Sequence, residues 1–285
     1  MMTRYYHFAG VEIALSMPEE LFFEEEQKLA PFRTDYRENP WIIRFEKVDI
    51  LPEPVGTLVL CEPSIRVYQE KDRIIRYFGF CGESWEEARM RAEYRDNETC
   101  VKLKKSQFPA RVNVQYVLEA IAAEHMIARQ NGFVFHCSYI EHQGKAILFT
   151  APSETGKSTQ ADLWNRHRDA EIINGDRAAI RLVDGVLMAE GVPFSGSSQY
   201  CKNRSLPVEA IVYLAQAPET SIRKLRGYEA FAKIWEGVSV NTWDREDLER
   251  VSAVVKVLLE TVPVFYMPCT PDESAVSLLE STLTA

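Results

Sequence analysis

The stretch that most restricts what this chain can fold into is 146–159. An apolar run, Ala146-Ile147-Leu148-Phe149-Thr150, leads straight into Ala151-Pro152-Ser153-Glu154-Thr155-Gly156-Lys157-Ser158-Thr159. A buried strand, a tight turn and Gly-Lys-Ser-Thr opening a helix, read from Thr159 to about Arg166, is the setting a phosphate-binding loop (Walker A) requires. There the backbone N–H groups of the turn and helix start converge on one anion, and the helix dipole favours negative charge. Lys157 is placed to reach the outer phosphates and the Ser158 hydroxyl to ligate magnesium. The formal pattern is G-x-x-x-x-G-K-[ST]. Here Ala151 stands for its first glycine, and Glu154 occupies a position often held by glycine. Alanine costs little at the strand exit if its φ is negative.

The rest of the composition narrows the partners. A chain of 285 residues, 46% hydrophobic and 26% charged, can bury a sizeable core as one large domain or two ordinary ones. Its net charge of −9 argues against nucleic acid, which needs clustered Lys and Arg. The basic run Lys102-Leu103-Lys104-Lys105 reads as a short solvated strand or loop. No apolar stretch approaches the roughly 20 residues of a membrane helix, and the first residues lack a signal-peptide core. A cytoplasmic protein without nucleic-acid or membrane partners is expected. The six cysteines form no C-x-x-C pair and have no zinc-finger spacing with histidine, so free buried thiols are expected.

Taken in order, residues 1–112 read as a β-rich N-terminal domain and 113–285 as the nucleotide-binding domain. In the first, 8–15, 41–45 and 54–60 leading into Val67-Tyr68 read as extended. Residues 73–78 pair with the preceding strand through the polar stretch Gln69-Glu70-Lys71-Asp72. The charge-dense segment 83–95 reads as a surface helix, and Glu24-Glu25-Glu26 as a solvated face. Residues 113–129 carry apolar positions at i, i+3, i+4 spacing and read as one helix ending at Asn131-Gly132, with His125 a packed, hydrogen-bonded residue on its apolar face.

Residues 133–149 read as two strands around 141–145. Pairing of those strands would bring His136 near the γ-phosphate end of the loop, while His142 in the turn would be exposed. The short strand 170–173 ends in Asn174-Gly175-Asp176-Arg177, where a nucleotide site places a magnesium-organising acid; Asp176 is that acid. Asp184-Gly185 marks a hairpin turn. Glu190 is a second candidate acid, with a solvated strand-end glutamate the simpler reading. The turn-rich segment 191–198 is an acceptor loop, a lid or an ordinary connection, with Lys202 or Arg204 able to face phosphate oxygens. Helices are expected at 228–235, 246–260 and 272–283, the last with Asp272 near its N-cap, and a strand at 264–267.

These residues together resemble the HPr kinase/phosphorylase-like proteins, kinase relatives of the phosphoenolpyruvate carboxykinase fold. The resemblance runs from Phe135 onward. It rests on His136, Gly144-Lys145 at the strand entry, the loop 151–159, Ile172-Ile173-Asn174-Gly175-Asp176-Arg177, Gly191-Val192-Pro193-Phe194-Ser195-Gly196 and Arg204-Ser205-Leu206-Pro207-Val208. It implies an α/β (α+β) fold and magnesium-dependent transfer of phosphate from ATP to a hydroxyl, usually a serine, on a protein, peptide or small molecule. By that resemblance Ser153, Glu154, Thr155, Gly156, Lys157, Ser158 and Thr159 hold the nucleotide phosphates, Ser158 and Asp176 organise the metal, and His136 sits near the transferred group. Arg177, Lys202 and Arg204 are candidate acceptor or phosphate contacts. The family often carries two consecutive acids at this strand end; an ungapped match leaves Gly175 in place of the first.

Two other readings stay open. One is an ATP-binding regulatory or partner protein without catalysis, which the single acid keeps in view. The other is a carboxykinase, for which the additional Lys and His metal ligands cannot be placed. The N-terminal region is a candidate acceptor-binding part. Relatives often form homo-oligomers, and no feature of the sequence decides this.

Overall fold

The computed structural model describes residues 1–22, 28–36, 38–80, 84–108, 112 and 114–284. The acidic run 24–26, Cys81 and the start of the 83–95 segment lie outside them. It is a mixed α/β structure with two large sheets and, among the described residues, six α-helices. Two compact units are present: 1–7 with 11–122, and 8–10 with 123–285. The division falls after Ala122, not after 112.

The first unit is built on strands β1 (Met2–Phe8), β2 (Val11–Met17), β3 (Arg33–Thr34), β4 (Trp41–Val48), β5 (Thr57–Cys61), β6 (Ile65–Glu70), β7 (Arg73–Phe78), β8 (Met90–Arg95) and β9 (Glu98–Lys104), followed by helix α1 (Val114–Ala120). The sheet order is β3-β1-β2-β4-β9-β8-β7-β6-β5. The β6–β7 hairpin closes with Glu70 opposite Arg73, as the polar stretch 69–72 predicts. The expected helix at 83–95 is corrected: a short 3₁₀ turn, Trp85–Glu87, precedes strand β8. The burial of Met90, Ala92 and Tyr94 has the period of two that a strand imposes. The intervening charges read as a solvated surface but are paired: Arg91 Nη2 lies 2.6 Å from the Glu93 carboxylate along the same strand, and Arg73 Nη1 of β7 lies 2.9 Å from it across strands. The basic run ends β9, with Lys102 and Lys105 near Glu46 and Asp49.

The second unit contains α2 (Ala123–Ala128), β10 (Gly132–His136), β11 (Ser138–His142), β12 (Lys145–Thr150), α3 (Lys157–Arg168), β13 (Glu171–Asn174), β14 (Arg177–Val183), β15 (Val186–Glu190), β16 (Ser205–Gln216), β17 (Arg223–Lys224), α4 (Gly227–Trp235), β18 (Val238–Ser239), α5 (Arg245–Thr261), β19 (Val264–Cys269) and α6 (Glu273–Thr284). The single helix expected over 113–129 is two short ones, broken at Ile121-Ala122. The region 133–149 holds three strands instead of two. β12 pairs with β11 through a two-residue turn whose residues, Gln143 and Gly144, both have positive φ, 52° and 78°. Asp184 and Gly185 form the same kind of turn. His142 is half-buried, its ring edge-on to Trp164 with centroids 5.0 Å apart, and not an idle turn residue.

The site's strand is the middle of this unit. β12 and β19 each run parallel to β16, and alternate side chains serve opposite cores. Ile147, Phe149, Val212, Phe265 and Met267 pack with Trp164, Val276 and Leu279. Leu148, Ile211 and Val264 pack instead with Phe133, Phe135, Val254 and Leu258. A strand buried on both faces has no polar side to present, which is why 146–149 is continuously apolar. The expected His125 packing is present: Nδ1 lies 3.0 Å from Asp247 Oδ1, fastening α2 to the buried Asp247 of α5. Five described cysteines are free thiols; Cys137 and Cys201 are buried, and Cys61 is exposed, contrary to expectation. Among the described residues no helix is long and apolar enough to cross a membrane.

Candidate functional site

The loop leaves β12 at Ala151 and enters α3 directly at Lys157, two residues before the expected start. Gly156 caps the helix with φ 114°, a conformation that strongly favours glycine, and no side chain caps the first turn. Ala151 is buried and is not among the positive-φ residues, so the missing glycine costs the turn little. The strain sits at Glu154 instead, whose φ is 64°. Lys157 is 8% exposed, and its Nζ donates to the Ala151 carbonyl at 3.0 Å and the Pro152 carbonyl at 3.3 Å. Burial pushes its pKa down, opposed by the charge of Asp176.

Asp176 follows β13 in the turn to β14, held at both ends of its backbone. Its N–H donates to Asn174 Oδ1 at 2.9 Å and its carbonyl accepts from the Cys137 N–H at 3.0 Å. The carboxylate is within 3.9 Å of His136 Nε2 and 3.3 Å of Arg177 Nε. His136 reaches this place by a route other than the expected strand pairing. Its strand β10 is zipped to β14, with His136 opposite Arg177, and its carbonyl accepts the Thr150 hydroxyl at 2.9 Å. Burial and then the charge of Lys157 lower the His136 pKa, with Asp176 opposing. The shift favours the neutral imidazole, which can accept or donate a hydrogen bond.

A cleft of about 480 Å³ brings together His136, Ser153, Glu154, Gly156, Lys157, Ser158, Thr159 and Asp176. That volume suits a small-molecule ligand. Thr155 does not line it, and Arg177 only flanks it through Asp176. Lys202 and Arg204 are turned elsewhere: Lys202 Nζ is 2.7 Å from Glu171 and Arg204 Nη2 is 2.5 Å from Glu141. Glu190 accepts from Arg181 at 2.9 Å and lies outside the cleft; it is a largely buried ion-pair partner, not the solvated strand-end residue expected.

The cleft also contains residues the sequence reading did not single out. Asp162 lies one helical turn beyond Ser158 on α3, so i, i+4 spacing could have flagged it. Ser197, Ser198, Gln199 and Tyr200 come from the loop before β16. Turn-forming composition marked that loop without ranking its residues.

No family model matches this chain, and no curated protein matches it. Among solved structures it is similar to the Hpr(Ser) kinase/phosphatase from Coxiella burnetii, at 14% sequence identity and a TM-score of 0.30, over 53% of this chain and 87% of that one. At that score the likeness is loose, and the functional reading stands on the residues of the cleft.

Proposed function

We propose that this protein is an ATP-dependent kinase of the HPr kinase-like type, transferring the γ-phosphate to a hydroxyl group on a protein, peptide or small molecule. The observation that carries this is the convergence of Lys157, Asp176 and His136 on one cleft at the head of a helix with no side-chain cap. Loop and α3 amides with Lys157 would bind the phosphates. The acceptor oxygen would bond to the γ-phosphorus as the bond to the β-phosphate oxygen breaks. ADP would then leave, and the acceptor's proton would pass to Asp176. Ser158 hydroxyl and Asp176 carboxylate are the hard oxygen donors magnesium takes; bound there, it would supply neutralisation of phosphate charge. Neutral His136 would hydrogen-bond the transferred group.

One observation favours a second reading, a nucleotide-binding regulatory protein without transfer: Asp176 is the sole acid of its turn, Gly175 preceding it. Incubation with γ-labelled ATP, magnesium and hydroxyl acceptors, seryl peptides first, separates the two. The kinase reading expects label on the acceptor and ADP release, both lost in Asp176→Ala. ATP binding with no turnover, unchanged by that substitution, would leave the second reading.

A further inference from the structure

Gly175 is more than a missing acid. A Cβ built there would lie 2.2 Å from Ser198 Oγ and 2.7 Å from Ser198 Cβ, so the serine already fills the space a side chain would enter. Two residues earlier in the loop, a Cβ on Gly196 would lie 2.9 Å from Asp176 Cγ. The loop backbone therefore lies directly against the carboxylate. Asn174, fully buried, ties the two segments together with its whole hydrogen-bonding capacity. Its Nδ2 donates to the carbonyls of Val192 at 3.0 Å and Phe194 at 3.2 Å, and its Oδ1 accepts from the N–H groups of Asp176 at 2.9 Å and Arg177 at 3.0 Å. The loop is also fastened internally. The Ser198 N–H donates to Ser195 O at 2.8 Å, Ser195 Oγ donates to Ser198 O at 3.0 Å, and the Tyr200 N–H donates to Ser198 Oγ at 3.1 Å.

We propose that Ser198 and Asn174 are positioning residues: Ser198 seats on Gly175, Asn174 clamps the 192–198 segment to the acid-bearing turn, and the two together fix the Asp176 carboxylate in the cleft. Ser198 thus occupies, from a distant segment, the place of a side chain at 175. The site is built around one acid by packing, and a side chain added at 175 must displace Ser198. That Asp176 acts on nucleotide rests on the kinase reading; the seat itself does not.

The test is a double-mutant cycle on the full chain. Gly175→Ala is expected to lower Tm by roughly 5 °C through the overlap, and Gly175→Ala with Ser198→Gly to recover most of that loss. Additive shifts would overturn the seat. Positioning is read separately in Gly196→Ala, where ATP turnover is expected to fall about tenfold with KM for ATP within twofold. A melting shift there with kcat unchanged would mean a purely structural loop and overturn the positioning role. Wild-type protein that binds no nucleotide would end the kinase reading, and the melting cycle alone would then decide the seat.

Discussion

On one wall of the cleft a single run, 151–159, supplies the turn, the helix start, Lys157 and Ser158. On the other wall Asp176 and His136 meet through the pairing of β10 with β14, while Asn174 bridges 174–177 to 192–194 and Ser198 packs against Gly175. The first wall is local and tolerates change: Ala151 and Glu154 depart from the usual pattern, yet the loop still enters a helix at Lys157. The second is assembled from distant segments and is packed to contact. The residues of the first wall are thus set by one local run, while placement of Asp176 depends on pairing across the sheet.

Substitutions on the two walls should differ in kind. The largest effect is expected for Lys157→Ala, on the order of 100-fold or more in ATP affinity or turnover. Tm should hardly change, because the lysine bonds only loop carbonyls; equilibrium titration with ATP and a thermal melt check both. Asp176→Asn should cost about 100-fold in kcat while ATP affinity falls far less, a split that single-turnover kinetics reads directly. His136→Gln should lower kcat about tenfold with ATP affinity nearly kept; equal loss of both would make it a packing residue.

A smaller, opposed pair tests the loop's departures. Glu154→Gly should raise stability by about 0.5 kcal/mol, since relief of a left-handed side chain slightly exceeds the added chain entropy. Ala151→Gly, where φ is not positive, should lower it by about as much. Denaturant midpoints measure both.

The smallest effect expected is on pH. The fold holds the His136 pKa below that of the unfolded chain, so the unfolded state takes up this proton first as pH falls. The neutral-histidine contribution is complete above about pH 6.5 and is lost as pH drops below it. His136→Gln should flatten that acid limb of the stability profile; an unchanged limb would place its origin elsewhere.

The same contrast explains what could be read from the chain alone. The strand–turn–helix of 146–159, the hairpin turn at Asp184-Gly185 and the closing helix with its Asp272 were legible because each is written in consecutive residues; the Ser274 N–H donates to Asp272 Oδ1 at 2.9 Å. Strand β8 was not, because Arg91 and Glu93 look solvated until the cross-strand partner Arg73 is in place. His136 was singled out, but through the wrong strand pairing: with three strands between 132 and 150, β10 finds its partner some forty residues downstream. Lys202 and Arg204 looked available for phosphate only while Glu171 and Glu141 were out of view. Gly175 looked like a loss, and the residue packed against it, Ser198, lies in another segment.

The most direct test of the central claim is calorimetric titration of the wild-type chain and Lys157→Ala with ATP and magnesium. The account predicts saturable one-to-one binding in the wild type, weakened on the order of 100-fold in the variant while its melting temperature is kept. No binding by the wild type, or equal binding by both proteins, would contradict it.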